Sequence, residues 1–314
     1  MEPLTTDAAG RRLAWAYLSA VADGPSQLLL ELLQDMGPVE AARAVLDDDA
    51  VGAQRISAAL QHLRLLDRIG GRLVTPDDDE WPTERLYPYT STPRPDPRRL
   101  APLCLWTIGQ GTLRDLTRRA VTVTGTRAPT SYGTHVTTEI VADLAGAGCS
   151  IIAGASFGVD ARAHRAALAA SAPTVAVLAC GLDVVHPAEH AELFRAIVDA
   201  GAIVSEYPPG TRVTRTRLQA RARLLAVLTG AVVIPESGVR SGARVVAAHA
   251  VAIHRPVFAV PGPVVSAAST GCHDLIRAGH ARLAATAGHI LEVIDAASAE
   301  PTDTAPAGTI DDGL

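Results

Sequence analysis

"AVTVTGTRAPTSYGTHVTTEIVADLAGAGCSIIAG", residues 120–154, holds two short apolar runs separated by an amphipathic stretch. The runs "AVTVTG" and "CSIIAG" contain β-branched residues, which favour strands. Between them, apolar side chains recur at the three- and four-residue spacing of a helix. The stretch therefore predicts two parallel strands joined by a crossover helix.

The same alternation continues towards the carboxyl end of the chain. Further apolar runs are "TVAVLAC", "AIVSEYPPG", "GAVVIPE" and "PVFAVPG", and helical patterns lie between most of them. Strands that are apolar throughout are buried on both faces, as in parallel sheets covered by helices. We therefore expect a doubly wound, mostly parallel α/β fold that binds its ligand at the carboxyl ends of the strands.

Outward from this region, the composition changes twice. Residues 1–74 carry helical patterns and predict a small helical domain, and residues 75–102 are a Pro-rich connector. The α/β domain is expected over 103–295. The tail 296–314 is small and polar, which predicts disorder.

Composition narrows the classes of protein. No segment has the character of a signal peptide or a membrane span, so we expect a cytoplasmic protein. The four cysteines are widely spaced, which disfavours a disulfide framework or a zinc finger. His186 and His190, with Glu189 beside them, superficially suggest a metal site, but no third ligand follows and we expect none.

The formal net charge is −5, yet the positive charge is concentrated. No acidic residue occurs between Tyr207 and Pro235, a stretch that contains Arg212, Arg215, Arg217, Arg221 and Arg223. A local basic patch matters more to a polyanion than the net charge does. All 28 basic residues are arginine, so the choice of arginine over lysine carries no information and only position counts. The alternative is that these arginines form a helix face that is exposed to solvent and binds nothing.

Three predicted strand ends are suited to an anion. "GTRAPTSYG" offers Arg127 and hydroxyls before a helix N-terminus, although Thr130 or Ser131 could simply cap that helix. "GASFGVDARAH" has glycines and Asp160, which could also be a cap. "PESGVRSGA" is a glycine-containing turn with Arg240. Several such ends along one rim favour a nucleic-acid backbone over a single phosphate.

The order of these loops resembles the bacterial DNA-processing protein A family (DprA or Smf). The resemblance rests on "GTRAPTSYG", "GASFGVDARAHRAAL", "VAVLACGLDVVHPAEH", "GAIVSEYPPGT", "RARLLAVLT", "ESGVRSGA", "VFAVPGPVVSAASTGCHDLIRAGHA" and "ILEVI", in that order. It implies an extended Rossmann-like fold after a SAM-like helical domain. It also implies a cytoplasmic homodimer that binds and protects single-stranded DNA in natural transformation, loads RecA recombinase, and needs neither cofactor nor catalysis.

The expected DNA-binding residues follow from the loops and from this resemblance. By position, the resemblance assigns Gly125, Arg127, Gly154, Gly158, Asp160, Arg221, Arg223, Arg240, Ser241 and Gly242. Hydroxyls, charge and one aromatic ring near the same rim add Thr126, Thr130, Arg217 and Phe157. No catalytic or metal-binding residue is expected.

The chain departs from the family pattern at several points. Ala222 stands where Asn is usual, Val246 where Thr is common, and Pro235 precedes Glu236. From the resemblance, we expect no counterpart of the winged-helix-like domain that many members carry after the α/β region. Loss of the Asn removes a hydrogen-bonding side chain from the expected site.

Two other functions remain open at the level of sequence. One is a Rossmann-like nucleotide-binding protein or nucleotide N-glycosidic hydrolase that uses Glu236, with Glu206 or Asp160. The other is a divergent DprA paralogue without RecA loading, a possibility raised by Ala222 and Val246.

Overall fold

The computed structural model describes residues 4–47, 52–91, 96 and 98–299. Over these residues, nine strands form one sheet in the order β1-β2-β6-β5-β4-β3-β7-β8-β9. The strands are Arg72–Val74 (β1), Leu105–Gly109 (β2), Ala120–Val123 (β3), Ser150–Gly154 (β4), Thr174–Leu178 (β5), Ala202–Ser205 (β6), Ala231–Ile234 (β7), Val257–Ala259 (β8) and Arg282–Leu283 (β9). Strands β3 to β9 are parallel to one another, and the two antiparallel pairs are β1–β2 and β2–β6.

Twelve α-helices lie within the same described residues. They are Ala8–Ala22 (α1), Gln27–Asp47 (α2), Gly52–Arg68 (α3), Thr83–Thr90 (α4), Leu113–Arg118 (α5), Ser131–Gly146 (α6), Val159–Ala169 (α7), Ala191–Ala200 (α8), Arg215–Val227 (α9), Ala243–Ala252 (α10), Thr270–Arg277 (α11) and Gly288–Ala299 (α12). In α2 the helix is interrupted at Gly37, where φ is 75°. Among these helices, none is long and apolar enough to cross a membrane.

The sheet is doubly wound about β3, which confirms the predicted fold class. From β3 the chain runs through β4 and β5 to β6 on one side, and β7 then returns to pair with the other edge of β3. Side chains alternate between two buried layers: Val232 and Ile234 pack with α9 and α10, whereas Val233 packs with α6 and α7. A reversal of strand order opens a crevice at the carboxyl ends of such strands.

The antiparallel strands β1 and β2 were not anticipated from the sequence. They extend the sheet beyond β6, and Leu73 and Trp106 of this pair pack in one cluster with α1 and α3. The indole of Trp106 is fully buried and donates to the hydroxyl of Ser19 at 3.1 Å. The amino-terminal helices therefore pack directly against the end of the sheet.

The expected connector, 75–102, contributes to this packing. Its helix α4 buries Leu86 and Tyr89 among side chains of α9, and the Tyr89 hydroxyl donates to the carbonyl of Arg223 at 3.2 Å. The proposed division of the chain into domains stays a prediction. Helix α12 continues to Ala299, and the rest of the expected disordered tail lies outside the described residues.

Candidate nucleic-acid interface

A cleft of about 680 Å³ opens at the carboxyl ends of β3, β4 and β7, on both sides of the reversal in strand order. Its walls come from the three loops after these strands and from the first turns of α9. Its lining residues are Thr124, Gly125, Thr126, Arg127, Ser156, Asp160, Arg215, Leu218, Gln219, Arg221, Ala222, Leu225, Gly238, Arg240, Ser241, Gly242, Ala243, Val245 and Val246. The structure thus brings together eight of the expected site residues: Gly125, Thr126, Arg127, Asp160, Arg221, Arg240, Ser241 and Gly242.

Arginines from three separate elements surround this cleft. Arg127 follows β3, Arg240 follows β7, and Arg215 is the first residue of α9. All three are exposed, and none forms an ion pair with a carboxylate of the described residues. The rim therefore carries positive charge that no internal partner offsets.

A fourth arginine, Arg221, lies in the floor of the cleft and is only 9% exposed. One guanidinium nitrogen donates to the carbonyl of Val177 at 3.3 Å, while Nε has no hydrogen-bond partner among the described residues. Burial lowers the pKa of Arg221, and the nearby carboxylate of Asp160 offsets part of this effect. A buried donor without a partner is costly, so the Nε of Arg221 is an unsatisfied group in the floor of the cleft.

Asp160 supports the floor from below. Its carboxylate accepts hydrogen bonds from the hydroxyl of Thr124 at 2.8 Å and from the backbone N–H of Ser156 at 3.4 Å. Burial raises the pKa of Asp160, whereas Arg221 acts to lower it. Asp160 is the second residue of α7, so it bridges the loops after β3 and β4 rather than standing before the helix as an N-cap.

Gly154, at the end of β4, makes room for this arrangement. A Cβ on Gly154 would lie 2.5 Å from Asp160 Oδ2 and 2.8 Å from a terminal guanidinium nitrogen of Arg221. Both distances are shorter than real Cβ contacts allow. We therefore assign Gly154 a spacing role beneath the cleft.

The N-terminus of α6 already holds a carboxylate, and this corrects one expectation. Glu236, at the end of β7, accepts the backbone N–H of Thr130 at 2.8 Å and its hydroxyl proton at 2.6 Å. Thr130 is the N-cap, with its hydroxyl oxygen accepting the N–H of Gly133. Glu236 thus uses the backbone N–H and the hydroxyl donor of Thr130, so the structure does not favour Thr130 as a DNA contact.

Two glycines let the loops after β3, β4 and β7 pack closely. Gly158 has φ of 82°, and a Cβ there would lie 2.6 Å from the carbonyl oxygen of Arg127. A Cβ on Gly125 would lie 2.6 Å from the carbonyl oxygen of Glu236. The backbone of Thr126 joins the loops. Its N–H donates to the backbone carbonyl of Glu236 at 2.9 Å, and its carbonyl accepts the backbone N–H of Val159 at 3.1 Å. This packing places Arg127 on the rim.

The turn after β7 completes the far wall. The hydroxyl of Ser241 lies 3.4 Å from the carbonyl of Gly125 and accepts the N–H of Ala243 at 3.3 Å. Gly242 is the N-cap of α10 without a side-chain cap. Two departures from the family pattern, Ala222 and Val246, are apolar parts of the cleft wall at α9 and α10.

A smaller cavity of about 230 Å³ adjoins the cleft beyond Arg127 and Arg221. The two spaces share Arg127, Ser156, Leu218 and Arg221 as lining residues. Phe157 lines the smaller one, is 45% exposed, and packs edge-on against His190 at 4.8 Å between ring centroids. An exposed aromatic ring beside a positive cleft is a surface on which a base can stack.

Arg223 was expected at this site, but it lies in the interior. It is 0% exposed, its guanidinium pairs with both carboxylate oxygens of Glu206, and its Nε donates to the carbonyl of Leu100 at 2.8 Å. A DNA contact by Arg223 is therefore excluded in this conformation, because its side chain is fully buried.

Arg217 is also turned away from both cavities. It donates to the carboxylate of Asp23 at 2.6 Å and to the carbonyl of Arg212 at 2.7 Å. Its guanidinium lies over the ring of Tyr207, 5.3 Å from the centroid. Asp23 already neutralises this charge, so the structure does not favour Arg217 as a DNA contact.

Arg215 and Gln219 were missed as site residues, although the sequence contains a usable signal. The cleft-lining positions of α9 are 215, 218, 219, 221, 222 and 225, which lie on one side of the helix. Periodicity applied to the arginine-rich stretch would have separated this face from Arg217 and Arg223.

The suggested metal site finds no support among the described residues, which contain no group of three or more His, Cys, Asp or Glu side chains able to hold an ion. His186 lines the smaller cavity, and His190 is buried with Nδ1 3.1 Å from the carbonyl of Ala155. The four cysteines are buried and unpaired.

Comparisons with known proteins show which proteins this chain resembles. A family model described as DNA recombination-mediator protein A matches residues 72–295. A putative DNA processing protein DprA of Mycobacterium tuberculosis is 45% identical over 290 residues, covering 90% of this chain and 74% of the relative. Protein Smf of Synechocystis is 32% identical over 282 residues, covering 85% of this chain and 68% of that protein.

Two solved structures are also similar. DNA processing protein A of Streptococcus pneumoniae has a TM-score of 0.72 and 26% identity, over 89% of this chain and 97% of its own. A structure of DNA processing protein A from Helicobacter pylori, described for its single-stranded DNA binding mode, has a TM-score of 0.58 and 26% identity. That match covers 67% of this chain and 92% of the other.

Proposed function

The chain belongs to the DNA recombination-mediator protein A family, and on this premise we propose that it binds single-stranded DNA in the cleft at its strand ends. The observation that carries the proposal is the ring of exposed arginines, Arg127, Arg215 and Arg240, around the partly unsatisfied Arg221. The described binding of single-stranded DNA by the H. pylori protein supports the same ligand.

The distribution of charge favours a chain of phosphates over one phosphate. A single phosphate needs one cluster of donors, whereas these arginines come from three elements around a cleft of about 680 Å³. Single strands are held by a positive groove that follows the backbone, with bases stacked on aromatic rings where these are available. We propose that Arg127, Arg215, Arg221 and Arg240 contact phosphates and that a base stacks on Phe157.

The glycines and hydroxyls of the site have a second role in this proposal. Gly125, Thr126, Gly154 and Gly158 permit the close loop packing, and Asp160 fixes the floor. Ser241 and Gly242 offer backbone and hydroxyl groups to a phosphate at the far wall. Backbone contacts should dominate, so we expect weak dependence on base sequence.

We further propose the finer functions expected for the family. These are loading of RecA onto the bound strand, protection of incoming DNA in natural transformation, action as a homodimer, and residence in the cytoplasm. They are supported by the family description as a recombination mediator. The test for loading is the rate of RecA assembly on a single strand, which the wild-type protein should raise and a cleft variant should not.

A nucleotide hydrolase is less well supported by the carboxylates. Glu206 pairs with Arg223, Glu236 binds Thr130, and Asp160 accepts from Thr124. All three are at least 95% buried. A general acid or a nucleophile must reach its substrate within hydrogen-bond distance, and these groups are already committed to internal partners.

The proposal is tested with Arg127→Ala/Arg215→Ala/Arg240→Ala and a fluorescent single strand at several salt concentrations. Each phosphate contact to a single strand contributes about 0.7 to the slope of log affinity against log salt. We expect the slope to fall by about 2, similarly for different base sequences. The matched control is Arg114→Ala/Arg165→Ala/Arg195→Ala, three exposed arginines that line none of these spaces. An equal loss in both variants would refute the site.

A further inference from the structure

A third open space of about 780 Å³ lies between helix α3 and the loop that leads to α9. It is separate from the cleft and shares no lining residue with it. It is lined by Gln61, His62, Arg64, Leu65, Asp67, Arg68, Pro209 and Gly210. We call it the α3 groove.

The α3 groove carries positive charge that is not offset within it. Arg64 and Arg68 are exposed, stand one turn apart on α3, and form no ion pair with a described residue. The one carboxylate of the groove, Asp67, is bound by Arg12 at 2.7 Å. Burial lowers the pKa of His62, and the nearby carboxylate of Asp183 offsets part of this effect. The excess charge is suited to an anionic ligand.

The groove lies a short distance along the chain from the proposed DNA site. Gly210 lines the groove, and Val213 lines the smaller cavity beside the cleft. Three residues span at most about 11 Å when extended, so a single strand that leaves the smaller cavity can reach the groove within a few nucleotides. The exposed Arg212 lies between them.

The segment between the two spaces is held in position. Arg217 donates to the carbonyl of Arg212, and Asp23 of the amino-terminal helical region fixes Arg217 in turn. Gly210 donates its N–H to the carboxylate of Asp183 at 2.7 Å. The backbone at Arg212 is therefore held in place, and the side chain of Arg212 is exposed at the surface.

From this geometry we propose that a single strand held in the cleft continues over Arg212 into the α3 groove, where Arg64 and Arg68 contact its phosphates. This inference rests on the proposed function and extends it, because it adds the amino-terminal helices to the DNA-binding surface. Leu65 and Pro209 supply apolar surface to a base or sugar in the groove. The ligand class is a single-stranded nucleic-acid backbone long enough to leave the cleft.

The test measures the affinity of the wild-type protein and of the variant Arg64→Gln/Arg68→Gln for oligothymidylates of about 6 and about 30 nucleotides at several salt concentrations. Glutamine retains the helix preference of arginine, so α3 should stay intact. For the long strand we expect the salt slope to fall by about 1.4, which is two contacts at about 0.7 each. A fourfold rise in salt would then weaken wild-type binding about sevenfold more than binding by the variant. For the short strand, the two proteins should behave alike.

The control is Arg165→Gln/Arg195→Gln, which removes the same charge from exposed positions of α7 and α8. An unchanged slope for the long strand would overturn the inference and leave the groove to another partner, such as an acidic protein segment. An equal fall at both lengths, or in the control, would also overturn it by indicating a general charge effect. Failure of the wild-type protein to bind either strand in a salt-dependent way would refute the proposed function itself.

Discussion

Helix α9 carries two arginines two positions apart, and they meet opposite environments. Arg221 lies in the cleft floor, with an Nε that has no described partner. Arg223 is fully enclosed, paired with Glu206 and bonded to the carbonyl of Leu100. Two positions on a helix are about 200° apart, so one residue type serves two sides of the same element.

The difference shows that position on a face, and the partner found there, decides what an arginine does. Glu206 follows β6 and reaches Arg223 across the interior, where an ion pair holds the helix against the sheet. Around Arg221 the nearby carboxylate, Asp160, is shared with Thr124 and Ser156. Arg221 thus keeps an N–H group without a described partner, whereas all three guanidinium nitrogens of Arg223 are hydrogen-bonded.

The largest expected effect comes from breaking the Arg223–Glu206 pair. Arg223→Met leaves a buried, uncompensated carboxylate, and losing one partner of such a pair costs about 3–5 kcal/mol. Denaturant unfolding should report this loss, while affinity per folded molecule should stay near the wild-type value. The double variant Arg223→Met/Glu206→Leu should recover much of the stability. A folded Arg223→Met protein with a selective loss of DNA binding would contradict the comparison.

A second prediction concerns the layer beneath the cleft. His164 is fully buried between Thr174, 2.7 Å from Nδ1, and the carbonyl of Gly154, 2.9 Å from Nε2. Burial lowers the pKa of His164 to about 4. The unfolded chain, with a pKa of about 6.5, binds more protons between these values, so the contribution of this ring is complete above pH 6.5 and is lost as pH falls towards 4.

The expected size of this contribution is about 3 kcal/mol, from about 1.4 kcal/mol per pKa unit. The measurement is the free energy of unfolding between pH 7 and pH 4.5 for the wild type and His164→Gln. Glutamine can still donate to the Gly154 carbonyl but does not titrate. The difference between the two curves should therefore shrink or reverse as pH falls, and parallel curves would disprove the assignment.

The third prediction sharpens the cleft side of the comparison. Arg221→Met removes a charged donor from the floor, and a hydrogen bond to a charged group contributes about 1.5–3 kcal/mol. We expect single-stranded DNA to bind about 10- to 100-fold more weakly, with a smaller loss of stability than in Arg223→Met. Arg217→Met, on the same helix, is the matched control and should change affinity less than twofold. Equal losses from the two substitutions would mean that α9 acts only through its total charge.

The smallest expected effect is at the closed helix terminus. Glu236→Gln retains an oxygen for Thr130 but removes the negative charge from the N-terminus of α6, an interaction of up to about 2 kcal/mol in a buried geometry. The denaturant midpoint should fall accordingly. Glu139→Gln, on the exposed face of the same helix, should leave it unchanged. A midpoint that does not move in Glu236→Gln would show that the carboxylate is replaceable by any acceptor.

Much of the fold could be predicted from the sequence because the central strands are apolar on both faces. The runs at β3 to β8 are marked by composition alone, and their alternation with helices dictates a parallel sheet. The strands β1 and β9 escaped prediction since they have only three and two residues. Strand β2 is identified by its partner β6, almost a hundred residues later, rather than by a local pattern.

The positions of the expected site residues could be predicted where a loop needs only its own residues, but not where a side chain from elsewhere in the chain intervenes. Arg127 and Arg240 lie on the rim as their loops suggested. Thr130 and Arg223 are instead bound by Glu236 and Glu206, which are 106 and 17 residues away in the sequence. No local sequence pattern around Glu236 or Glu206 predicts which residue its carboxylate binds.

The carboxylate of Glu236 also has a consequence for the speed of recognition. By satisfying the end of α6 internally, it keeps the segment that carries Arg127 formed before any ligand arrives. Association then loses little conformational entropy in this segment, and its rate follows diffusion and electrostatic attraction. We expect the observed association rate to rise in proportion to DNA concentration, and a plateau at high concentration would instead reveal a slow ordering step.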